Sequence, residues 1–310
     1  MSGKTATSLR ITGLVAAPHT PMHADGSVNV QAIQQQARLL AEGGVDGAFI
    51  CGTTGEGFSL TVAERLEVAE SWRAAAHQGF HLIVHVGHLC LSDCRELAAH
   101  AQKIGARAIG TMGPCFFRPG SVADLVAFCA DIAGAAPELP FYYYHIPELS
   151  GVHFRMLDFL ELGSDRIPTL AGIKFTYEDL MDFGRCVRLD GGRFNMLFGR
   201  DEILLAGLAL GADGAVGSTY NYAAPLYRRL IEAFEGGDMA TAQTEQARAM
   251  ELVAVLDKYG GLAAGKAVMK AIGLDCGPVR PPLRGLSEDQ FASLCADLDR
   301  VGFSDYAMRA

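Results

Sequence analysis

The sequence predicts an α/β fold, a (β/α)8 barrel with additional C-terminal helices, and three observations carry that prediction. Eight short β-rich runs recur along the chain. Segments with helical periodicity lie between successive runs and can make the crossovers that parallel neighbours require. The stretch after the first run, "AAPHTPMHADG", lacks the G-x-G-x-x-G fingerprint usual in a doubly wound open sheet.

The first strand is "GLVAAPHT" (13–20), followed by the helical segment "SVNVQAIQQQARLLAEGG". Ser27 stands where an N-cap would help, and Gly43 and Gly44 supply the stop. The second strand, "GAFICGT" (47–53), leads to "TVAERLEVAESWRAAAH", in which Thr61 and Glu64 have the spacing of a capping box. After "HLIVHVG" (81–87), Ser92 is the expected cap of the next helix and Gly105 its stop; after "AIGTMGP" (108–114), Ser121 caps "SVADLVAFCADIAGAAP". The remaining strands are "FYYYHIP" (141–147), "LAGIKFT" (170–176), "NMLFG" (195–199) and "GAVGST" (214–219). Residues 1–220 thus hold the barrel strands and the catalytic face. Residues 221–310 exceed one closing helix and read as that helix plus a helical extension of the same domain.

Composition narrows the function. Half of the 310 residues are hydrophobic, 20% are charged, and no low-complexity linker interrupts the chain. With 35 acidic against 26 basic residues and a formal charge of -9, the average surface repels a phosphate backbone, which argues against nucleic acid. "MSGKTATSLRITGL" lacks an apolar leader core, and no apolar run approaches the roughly 18 to 20 residues that span a bilayer. A cytoplasmic protein without a membrane partner is expected. The eight cysteines read as reduced core residues. His85, His88, Cys90 and Cys94 are chemically plausible zinc ligands, but they follow no recognised finger spacing and fit a strand end followed by a helix start.

Chemistry in such a barrel gathers at the C-terminal strand ends. There lie "GTTGEG" (52–57), Tyr144, Lys174, "GRDE" (199–202) and "GSTYN" (217–221). Strand alternation puts Gly172, Lys174 and Thr176 on one side and Ile173 and Phe175 on the other, so Lys174 points into the barrel. Tyr142 and Tyr144 share a face, and His145 becomes a helix-side packing residue. Lys174 is either half of a buried ion pair, with Glu56, Asp201 or Glu202 at the rim as possible partners, or an amine nucleophile that burial helps to deprotonate. The neutral amine would add to a ketone and form an iminium, an electron sink, with Tyr144 the nearest proton relay. The hydroxyls of Thr53 and Thr54 and the glycine-freed backbone around them suit a small carboxylate, although a plain strand-to-helix turn has the same look. "GRDE", Ser218 and Thr176 offer donors and acceptors for a polyhydroxylated chain.

On "GTTGEG", "FYYYHIPELSGV", "GIKFT", "GRDE" and "GAVGSTYN", nearly the whole chain resembles the N-acetylneuraminate lyase and dihydrodipicolinate synthase superfamily, and within it the lyase branch. The resemblance implies a homotetrameric TIM barrel and a Schiff base between Lys174 and pyruvate, with no cofactor. It further implies carboxylate binding by Thr53 and Thr54 and proton relay by Tyr144. Thr176, Gly199, Asp201, Glu202 and Ser218 would hold the sugar's tail, and the reaction would be reversible cleavage of N-acetylneuraminate to N-acetylmannosamine and pyruvate. The synthase branch typically has an arginine where this chain has Leu149, and a "PYYN"-like stretch where this chain has "PCFFRP", with Phe116 lacking the hydroxyl. Glu148 and Arg200 depart from the lyase pattern, which leaves room for another 2-keto-3-deoxy sugar acid as substrate. A non-catalytic keto-acid-binding barrel is the alternative of a different class.

Overall fold

The computed structural model describes residues 10–310; residues 1–9, most of the stretch read above for a leader, lie outside the described residues. Eight parallel strands close into a barrel in chain order: β1 (Gly13–Ala16), β2 (Gly47–Ile50), β3 (His81–His85), β4 (Ala108–Thr111), β5 (Phe141–His145), β6 (Leu170–Phe175), β7 (Asn195–Phe198) and β8 (Gly214–Gly217). Each lies inside its expected run. Closure comes from β1 pairing with β8, Val15 opposite Val216.

The helices between strands are α1 (Ala32–Glu42), α2 (Val62–Ala75), α3 (Leu91–Lys103), α4 (Val122–Ala133), the short α5 (Pro147–Ser150), α6 (Met156–Arg166), α7 (Leu180–Arg188) and α8 (Leu204–Leu210). Thr61 and Glu64 form the expected capping box on α2, and the Ser121 hydroxyl accepts from the Asp124 N–H on α4. Two expected caps are corrected. Ser27 lies upstream of α1 and binds the Asp25 carboxylate in a turn, while Gln31 occupies the cap. Ser92 is already inside α3, whose cap is Cys90. At α1 a local turn satisfies the backbone instead, the Ala32 and Ile33 N–H groups donating to the Asn29 and Val30 carbonyls.

Beyond β8 run α9 (Tyr220–Glu235), α10 (Met239–Lys258), α11 (Leu262–Ala271) and α12 (Glu288–Arg300). They pack on the barrel and on one another; the Met308 N–H donates to the Tyr222 carbonyl at 2.8 Å, returning the C-terminus to α9. No helix among the described residues is long and apolar enough to cross a membrane.

The core has two parts, as the period-two alternation of barrel strands requires. One lies between strands and helices and contains Tyr143, Ile173 and Phe175. The other fills the lumen and contains Val15, Phe49, Ile83, Tyr142, Tyr144, Leu197 and Val216. Each large apolar side chain so buried contributes roughly 1.5–3 kcal/mol. At the N-terminal end of the lumen, Asn195 accepts from the Tyr142 hydroxyl at 2.7 Å and from the Ile11 N–H at 2.9 Å and donates to the Ile11 carbonyl, so the floor is plugged.

Candidate active site

Lys174 is the penultimate residue of β6, directly opposite Tyr144 of β5 in register. The alternation holds: Lys174 faces the lumen, with Nζ 3.9 Å from the Tyr144 ring centroid and 4.3 Å from that of Phe49. His145 packs on the helix side against Phe175 and Tyr177. Gly172, one step below Lys174, sits so near the Asn195 backbone that an added Cβ would fall 1.8 Å from its carbonyl oxygen. Only a glycine lets β6 and β7 approach that closely.

Among the described residues no carboxylate forms a salt bridge with Lys174. Glu56, offered above as a partner, turns away to Lys266 of α11 at 2.8 Å. Asp201 was expected on the rim and is instead buried. Its Oδ2 accepts from the Thr219 hydroxyl and N–H, at 2.6 and 3.0 Å. Burial raises the Asp201 carboxyl above its ordinary value, against the Thr219 hydrogen bonds and the more distant charge of Lys174. A Cβ on Gly217 would strike Asp201 Oδ1 at 1.8 Å, so the glycine of β8 is what admits this carboxylate.

One cavity of about 280 Å³ at the C-terminal strand ends brings together Lys174 and Tyr144 with Thr53 and Thr54 of the loop after β2. Thr176, Gly199, Asp201, Glu202 and Ser218 line the same cavity. The Thr53 and Tyr144 hydroxyls lie 3.3 Å apart, a short path for a proton between the loop after β2 and the phenol. That loop turns through left-handed backbone at two non-glycine residues, Cys51 and Glu56, with φ of 56° and 53°. Such conformations carry strain and persist only where their surroundings hold them; here Gly57 supports the turn, because a Cβ there would meet the Cys51 carbonyl at 1.9 Å. Thr176 Oγ1 is buried without a hydrogen-bond partner among the described residues, so it is free to meet a ligand.

Of the four residues weighed as metal ligands, His85 lies in the lumen with Nδ1 3.1 Å from the Cys51 carbonyl and its ring edge-on to Tyr144. Burial, then the nearby Arg65 and Lys174 charges, push it well below the ordinary histidine value, so it is a neutral neighbour of the amine. Cys94 engages the His88 backbone.

Sequence reasoning missed two wall residues. His19, in the loop after β1, is fully buried with neither ring nitrogen hydrogen-bonded among the described residues; burial, then the Lys266 charge, lower it to about 3. A histidine just past a barrel strand was the available signal. Tyr222 comes from α9, with Leu256 of α10 and Leu262 of α11 beside it, so the C-terminal helices complete the cavity.

Residues 10–301 match the dihydrodipicolinate synthetase family. The chain is 43% identical over 302 residues to the N-acetylneuraminate lyase of Rattus norvegicus, covering 96% of this chain and 94% of that one. Among solved structures, the Proteus mirabilis N-acetylneuraminate lyase superposes with a TM-score of 0.92 at 46% identity, covering 95% of this chain and 99% of that chain. The N-acetylneuraminate lyase (sialic acid aldolase) of Aliivibrio salmonicida does so with a TM-score of 0.92 at 44% identity, covering 95% and 98%.

Proposed function

Because the chain belongs to the dihydrodipicolinate synthetase family, we propose that it is a carbon–carbon lyase of the N-acetylneuraminate lyase type, cleaving N-acetylneuraminate reversibly to N-acetylmannosamine and pyruvate. The observation that carries this reading is the amine of Lys174, buried over two aromatic faces and without a carboxylate partner among the described residues, in a cavity that also holds Thr53 and Thr54.

The chemistry follows from that placement. The substrate's carboxylate sits on the loop of Thr53 and Thr54, which sets its neighbouring ketone against Lys174. Nζ adds to the ketone carbon, water leaves, and the resulting iminium draws electrons from the adjacent carbon. The Tyr144 phenol gives its proton to the departing water and then, directly or through Thr53, takes the proton of the hydroxyl one carbon further on; the carbon–carbon bond breaks, releasing the aldehyde and leaving an enamine on Lys174. Protonation of the enamine carbon and addition of water free pyruvate and restore the amine. The iminium is itself the electron sink, so the scheme calls for no cofactor or metal.

Thr176, Asp201, Glu202 and Ser218 serve the hydroxylated tail, and Gly199 serves by leaving room, since a Cβ there would meet Thr176 Oγ1 at 2.0 Å. A homotetramer in the cytoplasm belongs to the same proposal. Association of the chain is supported by Phe116 and Phe117, 74% and 85% exposed, on a loop that Arg118 ties to the Ser150 carbonyl beside exposed Leu149. Sedimentation gives the assembly state.

Treatment with pyruvate and borohydride should add one covalent adduct, and mass spectrometry should place it on Lys174. An adduct elsewhere, or none, removes the proposal. Turnover of unacetylated keto acids with none of N-acetylneuraminate would keep the reaction class and change the substrate.

A further inference from the structure

Arg200, a departure from the lyase pattern, follows β7 in the loop that also carries Asp201 and Glu202. It lies on the cavity wall, and three carboxylates share its guanidinium. Nη2 is 2.8 Å from Glu148 Oε1 and also contacts Glu178 Oε1, and Nη1 is 3.4 Å from Glu202 Oε1. Glu148 belongs to α5 after β5, Glu178 follows β6, and Glu202 follows β7. One cation therefore ties three successive loops at the mouth.

Around Glu202 the remaining charges are mostly of its own sign. Asp201 adjoins it, Glu178 and Glu148 face it across Arg200, and Asp257 of α10 lines the same cavity, with Lys174 deeper in the lumen. Burial and then Asp201 raise the Glu202 carboxyl above its ordinary value, and Arg200 opposes them. An ionised carboxylate accepts hydrogen bonds at both oxygens, whereas a protonated one gives up part of that capacity.

We propose that Arg200 is a positioning residue: it holds the Glu202 carboxyl in place as the acceptor for hydroxyls at the far end of the substrate, and so sets preference for the tail without joining the carbon–carbon chemistry. The inference rests on the lyase reading, since an acceptor for tail hydroxyls has a meaning only for that substrate class.

The test compares kcat/KM for cleavage of N-acetylneuraminate with kcat/KM for condensation of pyruvate with glycolaldehyde, which has no such tail. Wild type, Arg200→Met, Arg200→Lys, Glu202→Gln and the Arg200→Met/Glu202→Gln double variant are followed across the acid limb of the pH profile. Arg200→Met should lower the long-to-short ratio about 10- to 30-fold, chiefly through KM. Its acid limb should move to higher pH, because Glu202 then takes up a proton more readily. Arg200→Lys, which keeps the charge, should recover part of the ratio. The double variant should fall no more than about threefold below the worse single variant, as coupled residues do. Equal losses on both substrates, independent multiplication of the two single effects, or an unmoved acid limb would overturn the proposal. Should Arg200→Met not fold, Arg200→Lys and Glu202→Gln decide by the same ratio, and an unchanged ratio in both overturns it. Failure of the lyase reading looks different: wild type itself would not cleave N-acetylneuraminate, whether or not it traps pyruvate.

Discussion

Two lysine side chains are buried to the same degree, Lys174 in the barrel lumen and Lys266 in the seam between α11 and the loop after β2, each 4% exposed. Lys266 meets Glu56 at 2.8 Å and donates to the Pro278 carbonyl at 2.7 Å. Around it the seam is laced with charge: the Arg280 N–H donates to Glu56 at 2.7 Å, and its guanidinium grips the Glu64 carboxylate and the Ser59 and Gly26 carbonyls. Lys174 has aromatic faces for neighbours and, among the described residues, no carboxylate partner. A buried ammonium with a carboxylate and a carbonyl is satisfied as a structural cation; Lys174 has only aromatic faces beside it and lines the cavity, which leaves Nζ open to a ligand. Burial alone does not separate a structural lysine from a chemical one, and the company each keeps does.

Substituting each lysine by methionine tests the contrast most severely. Lys174→Met should abolish both turnover and the borohydride adduct while changing stability by no more than about 1 kcal/mol, since an apolar chain suits an apolar lumen. A destabilisation of several kcal/mol would mean that Lys174 is a structural cation after all. Tyr144→Phe comes next: kcat should fall about 10²- to 10⁴-fold, with pyruvate trapping still detectable, because the proton relay goes and the nucleophile stays. Lys266→Met should cost about 3–5 kcal/mol in denaturant unfolding by stranding Glu56, yet the protein that remains folded should still trap pyruvate on Lys174. Loss of trapping there would blur the distinction between the two sites.

The smallest effect concerns acid. The Arg280 guanidinium holds the Glu64 carboxyl down from 4.5 to about 2. A depressed acid contributes stability above its unfolded value and loses it as pH falls, so this contribution fades between about pH 4.5 and 2. Because Glu64 is partly in water, the effect should stay below about 1 kcal/mol. Thermal unfolding across that window should slope less in Arg280→Met than in wild type; equal slopes would remove Arg280 from the seam's acid response.

The difference between the two lysines was half legible in the sequence. Period-two alternation sufficed to turn Lys174 inward and His145 outward, because a strand's parity is a local property. The eight strands were readable for the same reason. What could not be read was the pairing of residue 56 with residue 266, which depends on α11 folding back over the mouth, and so Glu56 remained open as a partner for Lys174. Asp201 looked like a rim acid because its burial depends on the missing Cβ of Gly217, a neighbour only after the barrel closes. His19 and Tyr222 were missed for a related cause, since each joins the wall from an element whose place the sequence does not declare. Ser27 failed as a cap because a turn ahead of α1 took the same backbone groups, and Ser92 because α3 begins one residue before it.

Among the described residues, the plug that Asn195, Tyr142 and Ile11 make at the barrel's base closes the lumen at the end opposite the cavity. For the chemistry proposed here, a lumen so closed imposes an order of departure. The aldehyde, nearer the opening, has to exit before the three-carbon fragment tethered beneath it can be hydrolysed and follow. Added pyruvate should then compete with the sugar acid for the empty enzyme, and added N-acetylmannosamine should instead trap the loaded form.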